Sequence, residues 1–228
     1  MSGALNKASI SAYMGESGSG KSSRMKVDIV KAKPARLLIW DPKREYARFG
    51  TVIDGKARGA LAQLVKGALG RDAFRITFQP MRSRKAMREQ FNVFCQLGDE
   101  LQRCTVVADE LADVTESNWA PEGWEMLTRQ GRHAGIVVMG ASQSPTDLDK
   151  TFFGNCSRVS VFRLGDPNHM DRMARLLEFD RDAIAKRRAE IAQLADHESI
   201  VLTKFPRSVE KIITSKRDLA RIPIDRPL

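Results

Sequence analysis

Gly15-Glu16-Ser17-Gly18-Ser19-Gly20-Lys21-Ser22 sets glycines, a lysine and a hydroxyl at the G-x-x-x-x-G-K-[ST] spacing that grips a polyphosphate. Small residues let consecutive backbone N–H groups curl around phosphate oxygens. Lys21 supplies a cation for the β and γ positions, and the Ser22 hydroxyl can ligate Mg2+. Nucleotide contacts are therefore expected from Gly15, Glu16, Ser17, Gly18, Ser19, Gly20, Lys21, Ser22 and Ser23, with ATP and Mg2+ as the cofactors implied. The setting fits: Ser9-Ile10-Ser11-Ala12-Tyr13-Met14 alternates as a short strand, and Ser22 to Lys33 reads as a helix stopped by Pro34. That helix would add the positive end of its dipole to the phosphate loop.

A second chemical cluster follows Thr105-Val106-Val107-Ala108, a run patterned as a buried strand and ending in Asp109 and Glu110. Asp109 would hold Mg2+ together with Ser22, and Glu110 would polarise an attacking water. Adjacent acids also occur as ordinary first residues of helices, which is the plain alternative. With the phosphate loop present, a glutamate directly after the aspartate favours hydrolysis over transfer to a small acceptor. Past the apolar run Ile136-Val137-Val138-Met139, the segment Gly140-Ala141-Ser142-Gln143-Ser144-Pro145 puts Gln143 at a strand tip, where parallel sheets bind ligands. It is the candidate γ-phosphate sensor; a simple turn is the alternative.

Arg129-Gln130-Gly131-Arg132-His133-Ala134-Gly135 offers two cations in a glycine-flanked stretch. In oligomeric ATPases an exposed arginine reaches the neighbour's nucleotide, so Arg132 is the first candidate, Arg129 the second and Arg158 a third. An ordinary cation at a helix C-terminus is the competing reading for Arg132 and Arg129. His133 reads as structural. Leu37-Leu38-Ile39-Trp40-Asp41-Pro42-Lys43-Arg44-Glu45-Tyr46 ends another strand at Asp41, a further feature at the ligand edge.

The elements needed to position these groups alternate between strand and helix. Strands are predicted near 9–14, 35–40, 74–78, 105–108, 136–139 and 158–164, and helices near 22–33, 57–69, 83–102, 122–133, 167–177 and 181–194. Runs 199–204 and 210–214 would pair as a terminal hairpin. Met87, Phe91, Phe94, Leu97 and Leu101 fall at helical spacing and read as core. The pattern predicts an α/β, three-layer domain with a largely parallel central sheet. No linker divides the 228 residues, so one domain is expected over 1–228, its motifs within about 8–165 and C-terminal helices and hairpin over 166–228.

Lysine and arginine exceed aspartate and glutamate by 38 to 28, a net charge of +10 that favours a polyanionic partner, nucleic acid first. Cys95, Cys104 and Cys156 are too scattered for a disulfide framework, pointing to a reduced compartment. No apolar stretch approaches the roughly 18 residues of a membrane span, so a soluble protein without a transmembrane segment is expected.

Taken together, the phosphate loop, Ile39-Trp40-Asp41-Pro42-Lys43-Arg44-Glu45-Tyr46, Val106-Val107-Ala108-Asp109-Glu110 and the stretch from Arg129 to Pro145 resemble the FtsK/HerA superfamily of P-loop ATPases in order and spacing. The short chain looks most like the genome-packaging ATPases of tailless icosahedral phages with an internal membrane. The resemblance implies a RecA-like fold, assembly into a homo-oligomeric ring, commonly a hexamer, and ATP-driven movement of double-stranded DNA into a preformed capsid. By family position Lys21 and Ser22 bind phosphate and metal, Asp109 binds metal, Glu110 is the base, Gln143 the sensor, and an arginine acts in trans. Expected partners are sequence-independent duplex DNA and packaging proteins at a capsid vertex or membrane, in the host cytoplasm or with the virion. Basic positions Lys204, Lys211, Lys216, Arg217 and Arg221 and the clusters 82–85 and 186–188 are candidate DNA surfaces. The competing readings are a cellular or plasmid translocase, a nucleotide-switch assembly factor and, disfavoured by the Asp109-Glu110 pair, a small-molecule kinase.

Overall fold

In the computed structural model, residues 9–130 and 134–223 are described. In chain order they form β1 (Ser9–Met14), α1 (Lys21–Ala32), β2 (Arg36–Trp40), β3 (Thr51–Asp54), α2 (Ala60–Ala68), β4 (Phe74–Gln79), α3 (Arg84–Leu101) and β5 (Thr105–Ala108). There follow α4 (Glu122–Gln130), β6 (Val137–Ser142), α5 (Lys150–Asn155), β7 (Arg158–Val161), α6 (Pro167–Leu177), α7 (Arg181–Ala192), β8 (Glu198–Lys204), β9 (Arg207–Ile213) and α8 (Lys216–Leu219). Single 3-10 turns occupy Ala47–Phe49, Leu111–Asp113 and Pro145–Asp147.

All the strands join one sheet in the order β3-β4-β2-β5-β6-β1-β7-β8-β9. Neighbours from β3 to β7 run parallel, and β7-β8 and β8-β9 are antiparallel, so the expected largely parallel sheet and C-terminal hairpin are both present. Parallel strands need cover on both faces, which is why β2 and β5 carry near-continuous apolar runs. Leu38 and Trp40 of β2 belong to the larger core, with α2 to α7, while Leu37 and Ile39 face a smaller one built on α1, Tyr46 and Phe49. Trp40 is fully buried, its ring 4.9 Å from Phe91, 5.5 Å from Phe94 and 5.7 Å from Phe78. Such aromatic pairs add roughly 0.5–1.5 kcal/mol each beyond area burial, and they stiffen the platform directly beneath the strand tips.

Register decides what those tips carry. Trp40 pairs with Ala108, Ala108 with Gly140 and Gly140 with Ala12, so the carboxyl ends of β2, β5, β6 and β1 lie in adjacent rows. Asp41, the Asp109-Glu110 pair, Gln143 and the loop from Gly15 therefore emerge together along one sheet edge.

Some expectations shift. The short edge strand β3 and the six-residue α5 were not anticipated, because four residues with Val52 half-exposed and one and a half helical turns carry little periodic signal. Strand β7 ends at Val161 rather than 164, and β9 begins at Arg207 rather than 210. Helix α4 is described to Gln130; Gly131, Arg132 and His133 lie outside the described residues. Among the described residues no helix is long and apolar enough to cross a membrane.

Candidate functional site

The loop between β1 and α1 is shaped by steric exclusion. A Cβ on Gly15 would stand 2.6 Å from Phe162 Cβ and from Ser19 Oγ, so only glycine fits. Gly20 is left-handed at φ 100° and becomes the N-cap of α1 with no side chain over the first-turn N–H groups. The first turn of α1 holds no acidic residue, leaving its positive end to an anion. Ser19 is buried and its hydroxyl donates to Glu16 O at 2.8 Å, closing the loop on itself. Glu16 contributes backbone to the loop, while its carboxylate is held by Arg163 Nε at 2.6 Å. Arg163 also pairs with Asp196 at 2.9 Å, strapping the loop to the turn before β8.

At the tip of β5, Asp109 is fully buried and receives the Ser22 hydroxyl at 3.4 Å and Glu110 N at 3.0 Å. Burial, and then the charge of Glu110, push its carboxyl up to about 6. A desolvated carboxylate beside a hydroxyl fits a divalent cation, whose charge would offset that burial. Glu110 takes a left-handed backbone at φ 53°, which turns its side chain back across the tip. Its carboxylate is crowded with donors: Lys43 Nζ lies 2.6 Å and Lys21 Nζ 3.4 Å from Oε1, and Gln143 Nε2 lies 3.1 Å from each oxygen. Burial opposes ionisation, but the Lys43 hydrogen bond and the Lys21 charge outweigh it and hold Glu110 below the usual carboxylate range.

Lys21, Ser22, Asp109, Glu110 and Gln143 thus converge, although they stem from three separate segments. Lys21 and Ser22 also line an adjoining cleft of about 180 Å3 together with Ser17, Gly18, Gly20 and Ser23.

The 41–46 segment stands at the expected sheet edge, where its acid serves the loop. Instead of facing a ligand, the buried Asp41 carboxylate accepts from Glu45 N at 2.8 Å, Tyr46 N at 3.1 Å and Gln79 Nε2 at 3.4 Å. It braces the loop, and Lys43 is the residue delivered to the site. Asp41→Ala strands those donors in a dry setting, so we expect it to lower stability by about 1–3 kcal/mol. Urea denaturation checks this; a midpoint unmoved from wild type would mean the loop is held by other contacts.

His197 had no signature in the sequence. Its left-handed backbone, φ 67°, brings its N–H to Ser19 O at 3.0 Å, and its carbonyl accepts from Thr214 N at 2.9 Å. It lines the cleft beside the β1–α1 loop, and its Nδ1 lies 2.7 Å from where a Gly20 Cβ would stand. Arg129 is more than half exposed in the last turn of α4, 3.6 Å from Glu125. Arg132, the preferred candidate for action in trans, is outside the described residues.

No protein-family model matches the chain. The genome packaging NTPase B204 from Sulfolobus turreted icosahedral virus 2, solved in complex with AMPPCP, superposes with a TM-score of 0.67 at 16% identity, covering 91% of this chain and 97% of that one. VirB4 of Thermoanaerobacter pseudethanolicus superposes with a TM-score of 0.67 at 12% identity, covering 96% and 93% respectively. The chain shares its fold with these two proteins. B204 has also been solved in complex with ATP-gammaS and with AMP. In sequence, the chain is 34% identical over 148 residues to Protein P9 of Pseudoalteromonas phage PM2, a match spanning 63% of each chain.

Proposed function

We propose that the chain is an ATP-hydrolysing motor that moves double-stranded DNA into a preformed viral capsid. The observation carrying this reading is the convergence of Lys21, Ser22, Asp109, Glu110 and Gln143 through mutual contacts at the carboxyl edge of the sheet, beside a cleft that Lys21 and Ser22 line. A packaging NTPase among the structural relatives and a phage protein among the sequence relatives support the viral purpose. The net charge of +10 supports a polyanionic cargo held through its phosphates.

Within this reading the loop N–H groups and Lys21 bind the triphosphate. Lys21 leaves Glu110 for the incoming phosphate, a stronger partner than a carboxylate it shares with Lys43. Ser22 and Asp109 would hold Mg2+, which neutralises phosphate charge and fixes the triphosphate's orientation when bound. Glu110 accepts a proton from the attacking water. Gln143, hydrogen-bonded to Glu110, orients that carboxylate and reads the terminal phosphate. Subunits form a ring, a hexamer by family precedent, in which Arg132 or Arg129 completes the neighbour's site. The partners are duplex DNA and proteins at the capsid vertex or membrane, and the work is done in the host cytoplasm.

A phosphate-release assay with and without long duplex DNA across a salt series tests the motor. Several-fold stimulation is expected at low salt, decaying linearly in log affinity as salt rises. Turnover indifferent to DNA at low salt would instead favour a nucleotide switch in virion assembly.

A further inference from the structure

Lys43 borders two spaces. One is the phosphate cleft, and the other is a larger cavity of about 480 Å3 walled by Lys43, Arg82, Arg84, Met87 and Asp113. The cavity draws a cation from each of three places: the turn after β2, the turn after β4 and the start of α3. Asp113 is its single acidic wall residue. Arg84 lies 3.3 Å from Glu116, and Arg82 has no ion pair among the described residues. Three cations around a solvated hollow repel one another, and an anion entering it would be bound by all three.

The same Lys43 is the closest donor to Glu110, at 2.6 Å. Lys43 and Lys21 both crowd Glu110 Oε1, and Gln143 reaches across to both oxygens, so the oxygen that Lys43 grips is taken up by protein donors. Arrival of a triphosphate gives Lys21 a new partner but does not by itself remove Lys43. Drawing the Lys43 ammonium away would free Oε1 for a water, and the hollow Lys43 already borders is where an anion would do so.

We propose that the cavity takes a phosphate of the DNA backbone and that Lys43 is the coupling residue, a positioning group that holds Glu110 idle until that phosphate attracts it. This rests on the motor reading above and adds to it the place where DNA is sensed. It also makes hydrolysis conditional: without DNA the base stays occupied, and fuel is conserved.

The test measures phosphate release by the full chain at saturating Mg-ATP and low salt, with and without long duplex DNA. Lys43→Met should raise the DNA-free kcat by about tenfold, the population shift expected from losing one charge-assisted hydrogen bond. It should leave KM for ATP unchanged and abolish further stimulation by DNA. Lys43→Arg, which keeps the charge, should restore low basal turnover and the response to DNA. The double variant R82A/R84A changes only exposed side chains and should keep basal kcat and KM while losing DNA stimulation. A fall in basal kcat or a rise in KM in Lys43→Met would overturn the proposal, making Lys43 a nucleotide ligand. Full DNA stimulation in R82A/R84A would overturn it too and leave the motor reading standing. Wild-type turnover that ignores DNA would fail the motor reading itself.

Discussion

Glu110→Gln is expected to cut ATP turnover by about 10^2–10^4-fold, the range a positioned general base supplies, while nucleotide binding survives or tightens. The side chain keeps its shape, so the left-handed turn at the tip of β5 and the hydrogen-bonding reach toward Gln143 are preserved. What vanishes is a negative charge lying 3.4 Å from Lys21 and 2.6 Å from Lys43. In wild type that charge competes with the triphosphate for Lys21; in the variant the competition ends and the cleft becomes more positive. Titration with a fluorescent ATP analogue should therefore give a Kd no weaker than wild type, beside a phosphate-release rate near background. Unchanged turnover would remove Glu110 from its role as base. Weakened binding with residual turnover would show that its charge organises the cleft rather than the water.

How far the sequence reaches can be argued residue by residue. Gly15 to Ser22 and the apolar run ending in Asp109-Glu110 are legible because their chemistry and their backbone geometry are local: a tight loop feeding a helix, a buried strand ending in acids. The nearness of Gln143 to Glu110 is of another kind. It follows from β5 and β6 being neighbours with Ala108 opposite Gly140, and strand order is a property of the closed sheet. What Asp41 does at that edge was left open for a related reason. An acid at a strand tip faces ligand or loop depending on whether nearby N–H groups turn toward it, and here Glu45 and Tyr46 do. Lys43 followed as a consequence that spacing alone could not predict. Arg163 and His197 were invisible because their partners, Glu16 and Ser19, lie more than a hundred residues earlier in the chain and no motif marks either position. The crowding of Gly20 by His197 likewise shows only in the closed fold.

That last point yields the second large effect, in Gly20→Ala. Gly18 and Gly20 share the left-handed region, at φ 79° and 100°, so alanine at either pays a backbone cost of about 1–3 kcal/mol. They differ in their surroundings. Around Gly18 a Cβ meets nothing within 4 Å, whereas at Gly20 it would stand 2.7 Å from His197 Nδ1 and 2.9 Å from His197 Cα and N. Two of those three atoms are backbone, and His197 N is itself bonded to Ser19 O at 3.0 Å, so the obstacle cannot swing aside as a flexible side chain would. Relief requires opening the loop or lifting the turn that Arg163 and Asp196 strap down, at a further cost of about 1–3 kcal/mol typical of overpacking. Gly20→Ala should therefore weaken nucleotide binding about 5- to 150-fold more than Gly18→Ala, since about 1.4 kcal/mol is a factor of ten. Parallel nucleotide titrations and urea melts of the two variants read the difference directly. Equal losses would mean that the His197 turn yields freely, and the C-terminal segment would then be a cover over the phosphate loop rather than part of its frame.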